Sequence, residues 1–151
     1  MKYAALFGAY FIISILLLSH LNLSLSRVVA VASKEILNFF GNNFALDGVN
    51  LINNQLDVEI NDLCAGTTEL AMIFAAIMAS YDVEIKKRLQ GVIVGMSLVL
   101  VLNPIRISTT IIAFQKSEII GAIMHDFLFR ISLILTVIVY YMLWYNVSVK
   151  R

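Results

Sequence analysis

Three side chains able to do chemistry lie within or beside the apolar stretches of this sequence: the thiol of Cys64, the guanidinium of Arg106 and the imidazole of His125. Polar groups in such surroundings are costly, and this favours a functional interpretation. A thiolate is a nucleophile, an imidazole is its usual proton-transfer partner, and an arginine binds anions. The three residues therefore predict a site for thiol chemistry, if the fold brings them together.

Composition decides which class of protein must position these residues. The chain has 151 residues, of which 60% are hydrophobic and 14% charged, with a net charge of +1 and a mean hydropathy of +0.88. Soluble domains carry roughly a quarter charged residues, so we predict an all-α integral membrane protein. The charge balance excludes a nucleic-acid partner. A single cysteine excludes an internal disulfide or a Cys-rich metal site, and no metal or other cofactor is expected.

Four segments are long enough and apolar enough to cross a hydrocarbon core, which takes about 20 residues. They are residues 3–21, 65–81, 89–114 with a break at Pro104, and 119–145, whose continuous apolar part begins at Phe127. The first is expected to be a retained helix, because no small-x-small signal-peptide cleavage site closes it. We expect residues 1–151 to form a single membrane domain with about four transmembrane helices.

Basic residues in short loops mark the cytoplasmic side of a membrane protein. Four crossings would place the following on one side: Lys2, Lys86, Lys87, Arg88, Lys150 and Arg151. This predicts a multi-pass protein of the cell membrane with both termini in the cytoplasm and residues 22–63 outside.

The outer segment begins with a predicted helix from Ser26 to Phe40, ended by Gly41. Its length and the Lys34-Glu35 pair suit a helix lying at the membrane interface better than one crossing it. The following stretch predicts a short β-hairpin with a tight turn, because apolar and polar residues alternate on either side of a turn signal. Its parts are Val49–Ile52, the turn Asn53-Asn54 and Gln55–Ile60.

Small residues recur every four positions on two of the spans, at Gly91 and Gly95 and at Ala71, Ala75 and Ala79. Such spacing lets helices approach closely in lipid. We expect packing within one bundle rather than a specific dimer contact.

Helical rise places the three reactive residues at a similar depth. At 1.5 Å per residue the distances are about 27 Å from Cys64 to Asp82, about 27 Å from Arg88 to Arg106 and about 30 Å from His125 to Tyr145. Each residue would therefore reach the outer edge of the hydrocarbon core from a different helix.

Local sequence around Cys64 suits a reactive thiol. Cys64 is expected to open a helix that Asp62 caps, so the positive end of the helix dipole would favour the thiolate. Gly66 would let a peptide backbone approach closely. A buried, inert cysteine is the alternative.

Asn103 and Pro104 suit the cap and first position of a new helix, which predicts a span that is broken or kinked there, with free amides beside Arg106. Such an arrangement binds anions, although an arginine reaching towards lipid headgroups is the alternative.

Ser117 is the predicted cap of the helix that carries His125. The alternative to a catalytic role is that His125 lies at the membrane interface without a catalytic task. Asp126 and Arg130 are expected to form a structural pair. Glu69 could tune the site or pair with Arg130, and we expect the structural pairing.

The three residues and their neighbours resemble the exosortase/archaeosortase family. Asp62-Leu63-Cys64-Ala65-Gly66, after an alternating β segment, is similar to the cysteine motif of that family, and Asn103-Pro104-Ile105-Arg106-Ile107 to its arginine motif. His125 follows on the next helix, as the family's histidine does. The resemblance covers roughly residues 41–129. It departs from the family at Ala65, where serine is frequent, and in having fewer spans before this core.

The resemblance implies a sortase-like cysteine protease or transpeptidase. Its partners would be exported proteins ending in a short motif, an apolar helix and a basic tail, which it would cut at the outer face and pass to a membrane lipid or similar acceptor. Cys64 would be the nucleophile, His125 the general base and acid, and Arg106 would stabilise the thiolate or the oxyanion. Asn103, Gly66 and Asp62 would support these three residues. A partner membrane subunit could complete the enzyme, because the chain has fewer spans than is common in the family.

A rival interpretation is a non-catalytic small subunit of a larger membrane complex, in which the three residues only pack. A channel lacks support because no span carries a chain of ionisable residues. A metalloprotease is disfavoured because His20 and His125, the two histidines, form no His-Glu-x-x-His motif.

Overall fold

The computed structural model describes residues 2–20, 25–61, 64–125 and 129–149, and in this part the chain is predominantly helical. Its helices are α1 (Lys2–His20), α2 (Leu25–Phe39), α3 (Thr67–Ala79), α4 (Ile85–Lys116), α5 (Glu118–Ile123) and α6 (Phe129–Val149); its strands are β1 (Ala45–Asp47), β2 (Asn50–Ile52) and β3 (Asp57–Glu59). The chain forms two compact units. The first contains residues 1–23, 67–99 and 133–151, and the second contains residues 24–66 and 100–132.

Two helical segments in the described part of the chain are long and apolar enough to cross a membrane: Ile85–Lys116 and Ile131–Val149. The other two expected spans correspond to shorter apolar helices, Lys2–Leu18 and Thr67–Ala79. At 1.5 Å per residue, α3 is about 20 Å long, against a hydrocarbon core of about 30 Å. Four complete crossings thus remain a prediction.

In the first unit, α1 packs against α3. The hydroxyl of Tyr3 donates a hydrogen bond to the carbonyl of Ala76, with an O–O distance of 3.3 Å, and the rings of Tyr10 and Phe74 meet edge to face. The small residues Ala71, Ala75 and Ala79 are fully buried in α3. The expected packing role of these alanines is confirmed.

The glycines of α4 serve the same unit in a different way. A methyl group at Gly91 would collide with the indole of Trp144, and one at Gly95 would lie 2.5 Å from a ring carbon of Tyr140. The two glycines therefore make room for aromatic side chains of α6. This confirms packing within the bundle, although the groups that enter the notches are side chains rather than a second helix backbone.

The second unit is built on α2, whose buried residues Ser26, Val29, Ala30, Ser33 and Leu37 recur at helical spacing. The predicted helix Ser26–Phe40 is confirmed to within one residue at each end. Gly41 has a φ of 82°, and the amide of Asn42 donates to the carbonyl of Leu37 over 3.0 Å. This is a Schellman-type helix end, for which glycine is the preferred residue.

Asn38, in the last turn of α2, directs the chain into the sheet. Its side-chain oxygen accepts a hydrogen bond from the amide of Phe44 (2.7 Å) and its side-chain nitrogen donates to the carbonyl of Phe44 (3.1 Å). Phe44 is buried in the core of this unit, and β1 begins at the next residue.

The strands form an antiparallel sheet in the order β1-β2-β3. The predicted hairpin is confirmed as β2-β3, whereas β1 was not predicted, so the sheet has a third strand within the described residues. Leu46, Leu51 and Val58 are paired across it, and Leu51 is fully buried. This apolar face packs with α2 and with Ile107 and Ile111 of α4 in one core.

The turn of the hairpin is displaced by one residue from its predicted position. The amide of Asn53 donates a hydrogen bond to the carbonyl of Leu56 over 2.9 Å. The two residues at the tip of the turn are therefore Asn54 and Gln55 rather than Asn53 and Asn54. The side-chain oxygen of Asn53 accepts from the amides of Gln55 and Leu56. An asparagine before the tip therefore holds this turn.

Candidate active site

Cys64 lies in a turn between the sheet and α3. The side-chain oxygen of Asn61 accepts a hydrogen bond from the amide of Cys64 over 2.9 Å, and the amide of Ala65 donates to the carbonyl of Asn61 over 3.0 Å. Because α3 starts at Thr67, the prediction that Cys64 opens a helix is wrong. Asn61 supplies the local cap, and the predicted cap Asp62 lies outside the described residues.

Gly66 gives this turn its shape. Its φ is 85°, a left-handed conformation that glycine adopts without steric cost. Gly66 and Ala65 are both buried, and the half-buried Cys64 packs against the core of the second unit. The turn is therefore held from inside, while its free thiol retains partial access to the surroundings.

Two side chains of α4 converge on the main-chain carbonyl of Cys64. The side-chain nitrogen of Asn103 donates to this oxygen over 2.8 Å, and Nη2 of Arg106 donates to it over 3.1 Å. Residues three apart lie on the same face of a helix, so the Asn-x-x-Arg spacing suits a shared acceptor. The structure thus brings together Cys64, Arg106 and Asn103, as the sequence predicted.

The path of the chain here differs from expectation. Residues 85–116 form one continuous helix with Pro104 in its interior, so the predicted break is wrong, and Asn103 is not a helix cap. The alternative of a kink at Pro104 stays a prediction. An interior proline removes one intrahelical hydrogen bond but does not end α4. The predicted anion site, built from free amides of a new helix end, is therefore absent from this part of the structure. Asn103 instead uses its side chain to hold the turn at residues 64–66, the cysteine turn.

Asn103 is one of the most completely buried polar residues of the second unit, with 0% of its surface exposed. Its side-chain oxygen has no hydrogen-bond partner among the described residues. Burying a polar atom in this state costs free energy. The residue is therefore costly to maintain for stability alone, which favours a functional reason for its presence.

His125 is positioned by contacts with the end of α4. It follows α5, and its exposed ring lies against that of Phe114 with 6.5 Å between ring centroids. Gly121, four residues before His125, sits so close to Phe114 that a methyl group there would collide with the Phe114 ring. Phe114 thus packs against both residues on one side of this segment, a role that the sequence analysis missed and that Gly121 could have suggested.

Ser117 does precede α5 as its N-cap residue, with an extended backbone, but its side chain makes no capping hydrogen bond within the described structure. Of the predicted pair, Asp126 and the side chain of Arg130 lie outside the described residues. Oε2 of Glu69 is buried without a hydrogen-bond partner among the groups that are described, so its pairing with Arg130 stays a prediction.

The described residues hold no cluster of three or more His, Cys, Asp or Glu side chains that could bind a metal ion.

Comparison with known proteins identifies the family. The family model of the transmembrane exosortases matches residues 3–145. The chain belongs to the transmembrane exosortase family. No curated protein and no solved structure gives a significant match.

The exosortase match is broader than the motif resemblance, which covered roughly residues 41–129. It includes α1 and most of α6, so the family model extends over these helices as well. Membership makes the chain a membrane protein with a sortase-like function in general terms.

Proposed function

We propose that this exosortase is a membrane-embedded cysteine transpeptidase that removes the C-terminal sorting signal of exported proteins. The observation that carries the proposal is the convergence of Asn103 and Arg106 on the carbonyl of Cys64, in a chain that matches the family nearly throughout. Substrates would be exported proteins ending in a recognition motif, an apolar helix and a basic tail.

The first half-reaction is acylation of the enzyme. His125 takes the proton of the Cys64 thiol, and the resulting thiolate attacks the scissile carbonyl carbon, forming a tetrahedral intermediate whose oxygen carries the negative charge. Collapse of this intermediate breaks the C–N bond, and His125 gives its proton to the leaving amine. The products are a thioester on Cys64 and the released signal peptide.

The second half-reaction transfers the acyl group to a lipid or similar acceptor. A nucleophilic group of the acceptor attacks the thioester carbonyl while His125 removes its proton, and the Cys64 sulfur leaves as the thiolate. Water in place of the acceptor would give hydrolysis by the same steps.

Arg106 would stabilise the charges that these steps create. A guanidinium carries five N–H donors, so Nη2 can hold the Cys64 carbonyl while the cation lies near the thiolate or the oxyanion. Asn103 is neutral and buried, and we assign it a positioning role. It holds the main chain of the nucleophile, while Gly66 supplies the turn.

The proposal places the reaction at the outer membrane face, with the termini in the cytoplasm. It is supported by the basic residues at Lys86, Lys87 and Arg88, between α3 and the body of α4, which favour a cytoplasmic loop. In this orientation the cysteine turn and α2 would lie on the opposite side, where exported substrates and lipid headgroups are found.

The experiment is mass spectrometry of the C-termini of membrane-associated proteins in cells that carry the wild type or Cys64→Ala. We expect a set of proteins to keep its C-terminal helix only with Cys64→Ala, and the mass of the mature C-terminus would identify the acceptor. Thr109→Val, on an exposed part of α4, is the matched control and should process normally.

Unchanged C-termini in both strains would contradict the enzyme and favour the non-catalytic subunit instead. Intact assembly of a larger complex with Cys64→Ala would support that second interpretation directly.

A further inference from the structure

A groove in the first unit lies far along the sequence from the cysteine turn, between the first half of α4 and the second half of α6. Its volume is about 440 Å³. Its lining surface is mostly apolar, and the three aliphatic side chains in it, Val94, Leu143 and Val147, are 58%, 63% and 59% exposed. The groove is therefore apolar and open along its length.

Aromatic residues anchor one side of this groove. The indole nitrogen of Trp144 donates to the carbonyl of Lys87 over 3.3 Å, and the hydroxyl of Tyr140 donates to the carbonyl of Gly91 over 2.6 Å. Both rings are thus fixed to the backbone of α4, in notches that Gly91 and Gly95 leave open. Tryptophan and tyrosine are enriched at the membrane–water interface.

A cation lies at the end of the same groove. Nζ of Lys87 donates to the carbonyl of Ser148 over 3.1 Å, which uses one of the three donors of the ammonium. The neighbouring cations are directed elsewhere. Arg88 donates to the carbonyl of Met78, and Lys86 is exposed and does not line the groove.

We propose that this groove binds an anionic phospholipid. The headgroup phosphate would bind the ammonium of Lys87, and an acyl chain would lie along Val94 and Leu143. A cation, interfacial aromatics and an open apolar channel match the three parts of such a lipid. A transmembrane helix of another protein would instead need a carboxylate at one point to pair with Lys87.

The test uses Trp144, the single tryptophan of the sequence, as a reporter inside the groove. The protein is placed in vesicles of one part phosphatidylglycerol to nine parts phosphatidylcholine, and bromine, which quenches tryptophan on contact, is carried by one lipid or the other. Because total composition and surface charge are the same in both samples, the ratio of quenching in the two samples, compared with the bulk ratio of one to nine, reports which lipid is enriched in the groove.

We expect the ratio of anionic to neutral lipid at Trp144 to exceed the bulk ratio by about fivefold. This factor corresponds to the attraction of about 1 kcal/mol between one lysine and an anionic membrane surface. Lys87→Gln should abolish this preference, whereas Lys87→Arg and the matched control Lys86→Gln should keep it. Cys64→Ala should keep it too, because the groove is independent of the proposed catalysis.

Quenching by the two lipids in their bulk ratio of one to nine in the wild type would overturn the proposal, as would an equal loss of preference in Lys86→Gln and Lys87→Gln. Absence of quenching by either lipid would mean that protein covers the groove, and would also overturn it. Circular dichroism of each variant in the same vesicles establishes that α4 and α6 are intact.

Discussion

The side-chain amide of Asn103 donates a 2.8 Å hydrogen bond to the main-chain carbonyl of Cys64, across 39 residues of sequence. Asn103 is fully buried, and Arg106 donates to the same oxygen from one helical turn further on. The proposed nucleophile is therefore held by its backbone, which leaves its thiol available for reaction.

Asn103→Leu removes the buried donor but keeps a side chain of similar size. Because Arg106 still binds the carbonyl, we expect folding to survive with a loss of about 1–2 kcal/mol and substrate processing to fall about tenfold or more. Processing is measured from the mass of mature C-termini, and stability by denaturant unfolding in micelles. Thr109→Val, which removes an exposed hydroxyl of the same helix, should change neither; normal processing by Asn103→Leu would disprove the positioning role.

Arg106 combines a positive charge with a planar set of donors, and two substitutions separate these properties. Arg106→Gln removes both and should lower turnover by a factor on the order of 10²–10³, as when an oxyanion donor is lost. Arg106→Lys keeps the positive charge but loses the planar fork of donors. We therefore expect this variant to keep a larger fraction of the wild-type rate of Cys64 alkylation by iodoacetamide at pH 7 than of the wild-type turnover. Equal effects of both variants on the alkylation rate would exclude an electrostatic role for the arginine at the thiol.

Gly66 and Gly48 both have positive φ, at 85° and 63°, and only Gly66 adjoins the cysteine turn. Alanine at either position should cost about 1–2 kcal/mol, because a left-handed conformation crowds its Cβ. We expect both Gly66→Ala and Gly48→Ala to lower stability but only Gly66→Ala to lose processing. If Gly48→Ala were equally inactive, stability rather than the shape of the turn would explain the effect.

Local sequence rules predicted the parts of this fold that local forces determine. The bounds of α2 follow from its apolar spacing and from Gly41, and the pairing of β2 with β3 follows from alternation around an asparagine turn. The third strand could not be predicted in this way. Residues 45–47 are too few to show a pattern, and β1 is positioned by Asn38, whose side chain binds the main chain of Phe44.

The same limit explains the errors near the proposed site. Asn103-Pro104 satisfies the local rules for a helix start, yet α4 continues through it and Asn103 binds a residue that is distant in sequence. Cys64 was expected in the first turn of a helix, but Gly66 and Asn61 form a separate turn before α3. Residue types and their order predicted that Asn103 and Arg106 lie beside Cys64, whereas their backbone context depended on tertiary contacts.

Leu51 lies at the centre of the three-stranded sheet, paired with Leu46 on one side and Val58 on the other. Since Leu51 is fully buried, Leu51→Ala should lower the free energy of unfolding by about 2–5 kcal/mol through lost contacts and a cavity. Ile52→Ala, on the opposite face of the same strand and only half-buried, should cost clearly less. Denaturant titration in micelles measures both, and a smaller loss for Leu51→Ala would contradict the assignment of this core.

Phe114 supports His125 from α4, since its ring lies against the imidazole and against Gly121. If Phe114 acts on catalysis through His125, Phe114→Ala should lower turnover about tenfold in the wild-type background. In the His125→Ala background the same substitution should not lower turnover further. The measurement is a double-mutant cycle on processing rates, in which residues acting through one another are strongly non-additive. Phe39→Ala, at an exposed aromatic ring of α2, is the control and should leave turnover unchanged. Additive losses in the double variant would instead show that Phe114 acts independently of the imidazole, through the packing of α5.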